Sequence, residues 1–160
     1  MSLQVIQNKH LYVELSPDMG ASITKFTDKV TNYNIFRPFP KNKKINKTNS
    51  YFSAYFATIP YFGAVHKNTF LYKNKYINLS RTHPLERETI HGEGWVNKWK
   101  ILNKNENSIK LYFKHNPKKS FPFKYEAEQE FALKKTSLII KIKIKNLDFL
   151  TFDCGIGFHP

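Results

Sequence analysis

Short runs of alternating apolar and polar positions, separated by turn residues, follow one another along this chain. Residues 11–15 (LYVEL) alternate and stop at the turn signal Ser16-Pro17-Asp18; 21–26 resume after Gly20, and 33–36 stop before Pro38. A two-residue period places one face of a strand against a core and the other in water. Residues 52–59 break the alternation, running apolar almost without interruption to Pro60, and this predicts a strand buried on both faces. Three hairpins are predicted: 70–72 with 76–79, 99–102 with 109–113, and 125–133 with 137–145, each around a short polar turn. In the last of these, Leu138, Ile140, Ile142 and Ile144 face one way, while Lys141, Lys143 and Lys145 face the other. Residues 152–158 form a final predicted strand, and no segment sustains a helical period beyond two turns. The predicted fold class is all-β.

The chain has 160 residues, the length of one domain; 41% are hydrophobic and 16% aromatic, enough to build a β-rich core and to argue against disorder. Its net charge of +14 raises a nucleic-acid or anionic-membrane role. The 26 Lys and Arg are nevertheless spread along the chain, apart from Lys41, Lys43, Lys44 and Lys47 in an asparagine-rich loop. Lysine filling solvent-facing positions is the simpler reading, so neither nucleic acid nor membrane is expected as a partner. The single cysteine, Cys154, excludes an internal disulfide. There is no apolar leader at the N-terminus, and 51–65 is interrupted by Ser53, Thr58 and Pro60. A soluble, cytoplasmic protein is expected.

His91-Gly92-Glu93-Gly94-Trp95 is the most distinctive local motif. Glycines beside a histidine let backbone approach a ligand, and an indole face suits the C–H groups of a sugar. His91 and Glu93 lack the Pro-Cys-x-x-Cys partner of zinc deaminases, and no other metal-ligand spacing occurs. Gly155-Ile156-Gly157 lacks the third glycine and following helix of a dinucleotide site. No cofactor and no metal are expected.

The order of the segments says more than any one of them. Residues 11–22 with Gly20-Ala21, then Ile59-Pro60-Tyr61, Thr89-Ile90-His91-Gly92 with Trp95 and Trp99, 121–125, 145–147 and Gly155-Ile-Gly-Phe-His-Pro160 resemble the aldose 1-epimerases, galactose mutarotase-like proteins. The HG…W…W segment and the closing GxGFHP are the specific parts. The resemblance implies a large antiparallel supersandwich with an open sugar cleft, of which residues 1–160 would be the N-terminal part of a single, incomplete domain. It also implies interconversion of the α and β anomers of an aldose by acid/base ring opening. His159 sits where the family has its general acid, and His91 where a second histidine polarises the same oxygen. Trp95, Tyr61 and Arg87 are the expected substrate-binding residues.

The departures bear on activity. After Ile-Pro-Tyr the family usually has Asn-Arg, whereas Gly63 and Ala64 stand here, so sugar binding would be weakened unless Arg87, His66 or Lys67 substitutes. The family's general base is a glutamate beyond position 160, and nothing local replaces it. The apolar ending at Phe158-His159-Pro160 suggests truncation or a chain that continues. The chain alone is thus expected to be inactive and able to self-associate. A non-catalytic carbohydrate-binding domain on the same scaffold is the alternative, and a basic nucleic-acid-binding β-domain ranks third.

Overall fold

The structure, a computed structural model, describes residues 3–160. Twelve strands are described, all in antiparallel pairs: β1 (Gln4–Gln7), β2 (Leu11–Ser16), β3 (Ser22–Asp28), β4 (Tyr33–Phe36), β5 (Phe56–Thr58), β6 (Thr69–Tyr72), β7 (Lys75–Asn78), β8 (Lys100–Lys104), β9 (Ser108–His115), β10 (Tyr125–Lys134), β11 (Ser137–Asn146) and β12 (Gly157–His159). Two four-stranded sheets, β1-β2-β3-β4 and β11-β10-β9-β8, are simple meanders of chain neighbours; β6-β7 is a hairpin, and β12-β5 joins distant parts of the chain.

The period-2 pattern decides how the large sheets meet. Along β10, Tyr125, Ala127, Gln129, Phe131 and Leu133 are buried, while Glu126, Glu128 and Glu130 between them are half-buried. Ile6, Val13, Leu15 and Ile23 of the first sheet share one core cluster with Ile109, Leu111, Phe131 and Leu133 of the second. Two sheets packed through their apolar faces in this way make a sandwich. On the outer face Lys110 pairs with Glu128 at 2.8 Å and Lys145 with Glu126 at 3.7 Å. Gly20 fixes the turn into β3: its φ is +67°, and a Cβ there would collide with the Trp95 carbonyl.

Two expectations are corrected. The predicted strand at 52–59 shrinks to Phe56–Thr58, because Lys47–Phe52 winds into a 3-10 helix capped by Asn46, whose side chain accepts from the Asn49 N–H. The predicted strand at 152–158 shrinks to Gly157–His159. Phe152 is drawn instead into an aromatic cluster, 5.4 Å from Phe121 and 5.1 Å from Phe123 between ring centroids. Phe158, at the apolar end of the chain, is 40% exposed and rests against Tyr55. β1 had no counterpart in the sequence pattern, because four residues with one fully buried side chain, Ile6, carry little periodic signal.

Candidate active site

Two histidines distant in sequence meet because one segment receives both motifs. Residues 59–65 follow β5, beginning with the cis peptide Ile59–Pro60. On one side they take up the His91 motif: Ile59 bridges Gly92, Ala64 bridges Ile90, and the Ile59 carbonyl accepts from the Glu93 and Gly94 N–H groups at 2.9 and 3.2 Å. On the other they take up the closing motif: β12 pairs with β5, setting His159 opposite Phe56, and Gly155 N–H donates to the Pro60 carbonyl at 2.8 Å. Gly92 is the hinge of this docking. Its φ is +66°, and a Cβ would collide with the Ile59 carbonyl oxygen.

The imidazoles of His91 and His159 lie 5.7 Å apart between centroids, inclined at 73°. The Phe56 ring underlies both, stacked on His159 at 4.6 Å and tilted against His91 at 5.9 Å. Phe62 stands 5.5 Å from His91 and is 65% exposed. Phe56 and Phe62 were not singled out by sequence; Phe56 hides within an apolar run, and its neighbours in space are unreadable from it.

Hydrogen bonding fixes the protonation of His91. Gly63 N–H donates to His91 Nδ1 at 3.1 Å, and the Gly63 carbonyl accepts from the His91 backbone N–H at 2.9 Å. A neutral imidazole that accepts at Nδ1 carries its proton on Nε2. Burial, with a smaller effect from the charge of His159, lowers the His91 pKa from 6.5 to about 4, so near neutral pH the ring is an uncharged donor. His159 is exposed. One imidazole is thereby held neutral with a spare N–H, beside a second that solvent reaches. Such a pair can donate to, and exchange a proton with, one oxygen atom between them.

The other candidates are placed differently. Trp95 is 1% exposed, stacks on Phe56 at 5.1 Å and His83 at 5.2 Å, and donates from Nε1 to the Ile90 carbonyl at 3.1 Å. It supports the site from behind and offers no open face to a ligand. Tyr61 bonds through its hydroxyl to Thr89 Oγ1 at 2.8 Å and packs against Phe121; burial raises its pKa. Arg87 lines a depression of about 500 Å3 together with Ala64 and Ile90. Glu93 is buried, and its carboxylate accepts from Asn97 Nδ2 at 2.6 Å. Among the described residues no three His, Cys, Asp or Glu side chains gather as a metal site. No helix among them is long and apolar enough to cross a membrane.

A family model described as aldose 1-epimerase matches residues 2–160. YphB of Escherichia coli K12 is 23% identical over 160 residues, which are 100% of this chain and 51% of YphB. A crystal structure from E. coli K12, assigned to the aldose 1-epimerases, superposes with a TM-score of 0.85 at 21% identity, covering 98% of this chain and 50% of that one. A galactose mutarotase-like protein from Lactobacillus casei gives a TM-score of 0.79 at 17% identity over 98% of this chain and 48% of its own. At these identities the superpositions establish a shared fold. The chain spans about half the length of the relatives it matches.

Proposed function

The chain belongs to the aldose 1-epimerase family, and we propose from this that its histidine pair is built for the ring-opening interconversion of aldose anomers. The observation that carries the reading is the convergence of His91 and His159 on one small region. In this scheme His159 delivers a proton to the ring oxygen of the sugar. His91, neutral and donating through Nε2, polarises the same oxygen without competing for the proton. The C1–O5 bond then breaks as a base removes the C1 hydroxyl proton, rotation about C1–C2 turns the aldehyde, and closure gives the other anomer. Phe62 offers an open aromatic face for sugar C–H groups, with Trp95 and Tyr61 bracing the site and Arg87 taking the place of the arginine that Ala64 lacks. Residues 1–160 are read as the N-terminal part of one such domain, working in the cytoplasm on a small-molecule aldose, a hexose or hexose derivative.

The base is the missing partner. Glu93 is committed to Asn97, and no carboxylate among the described residues is hydrogen-bonded to either imidazole. An acid or a base typically contributes about 10²–10⁴-fold in rate, so this chain alone is expected to bind an aldose and not to turn it over. Gly63 and Ala64, which supply no polar side chain, favour the alternative of a carbohydrate-binding domain on the same scaffold. Saturation-transfer NMR with glucose and galactose is expected to show contact, lost in the His91→Ala, Phe62→Ala double variant. Absence of any contact would remove both readings. Polarimetry on freshly dissolved α-anomer tests the expected inactivity: acceleration well above a His159→Ala control would show turnover by the chain alone, overturning that expectation and removing the binding-domain reading.

A further inference from the structure

A concavity of strongly one-signed charge lies apart from the histidine pair. It opens between the Pro17-Asp18 turn, β8 and β9, has a volume of about 620 Å3, and is walled in part by Trp99, Ile101 and Tyr112. Lys98, Lys100, Lys114 and Lys118 all line it, against one carboxylate, Asp18, which Lys98 already holds at 2.8 Å. Among the described residues Lys100, Lys114 and Lys118 have no ion-pair partner.

Several lysines elsewhere are held by a partner. Lys110 and Lys145 hold Glu128 and Glu126, and Lys25, Lys43 and Lys73 lie over the rings of Tyr12, Phe52 and Tyr72. The neighbouring groove lined by Lys110, Lys141 and Lys143 also contains Glu128 and Glu130. Glu126 lies opposite Lys114 across the β9–β10 pair and accepts from the Tyr112 hydroxyl at 2.9 Å, but four lysines gathered at one cavity still outnumber the carboxylates beside it, and their mutual repulsion opposes folding. The walls are also stiff. Trp99 N–H donates to the Pro17 carbonyl at 2.8 Å and Gly20 N–H to the Asn97 carbonyl at 2.9 Å, tying the turn to the entry of β8. A cavity with low-dielectric walls focuses the field of such charges, and ammonium groups bind phosphate as point charges.

We propose that this cavity binds a small oligophosphate, a ligand with two or three linked phosphate groups. Inorganic tripolyphosphate titrated calorimetrically into the whole chain at about 0.15 M salt is expected to bind once per chain. Replacing Lys100→Gln with Lys114→Gln should weaken binding about tenfold or more, whereas Lys141→Gln with Lys143→Gln, an identical change of net charge, should cost no more than about twofold. Equal losses in the two double variants, or no saturable binding, would overturn the site. Amide shift mapping on the unsubstituted chain provides a readout independent of any variant. Shifts gathered at 17–18, 98–101 and 112–118 support the cavity, and shifts centred on β11 refute it.

Discussion

His91 carries the largest electrostatic consequence of any single residue at the site. Its pKa falls from 6.5 to about 4 on folding, chiefly through burial. Between those values the unfolded chain binds the extra proton and the folded chain does not. Its contribution to stability is therefore whole above about pH 6.5 and is lost as pH drops toward 4, by up to roughly 3 kcal/mol. Urea unfolding across that range should show the loss, and the difference between wild type and His91→Gln isolates it from His115, which is also lowered by burial. Gly92→Ala is expected to cost about 2–4 kcal/mol in the same assay, since the methyl meets the Ile59 carbonyl at a left-handed φ. The His-Gly motif was legible in sequence because such glycines have a local backbone cause. The position of Trp95 behind the site was not, since nothing in a tryptophan's own neighbourhood along the chain says that Phe56 and His83 will cover it.

Among the strands, β10 combines clear patterning with one local conflict. Gln129 occupies an inward position between Ala127 and Phe131, fully buried, and neither of its amide atoms has a hydrogen-bond partner among the described residues. Gln129→Met keeps the volume and removes two unmet polar atoms, so it should raise stability by about 1 kcal/mol, seen as a higher melting temperature. The hairpins of β6 to β11 were legible because alternation and polar turns both lie within each pair. β5 and β12 were legible as strands but not in their extent, since the apolar runs at 52–59 and 152–158 predict longer ones. Their strand character comes from pairing with each other, and the competing pull of Phe121 and Phe123 on Phe152 decides where β12 can begin.

At the scale of the molecule, a charge of +14 is set against exposed apolar side chains. Phe149 is fully exposed, and Leu150, Ile156 and Phe158 are open near it in sequence. Charge repulsion keeps copies apart at low ionic strength and is screened by salt. Light scattering should therefore show an average mass that rises with concentration, more steeply at about 0.5 M salt, and Phe149→Ser with Leu150→Ser should suppress the rise. A mass independent of both salt and these substitutions would refute this. The segment at 59–65 has a further consequence, in time instead of space. Each hairpin closes a short loop, whereas β5 and β12 must find each other from remote parts of the chain, with the entropy of that closure met before any contact rewards it. The two imidazoles are thus expected to be assembled late in folding, and to be among the first groups parted when the chain begins to open.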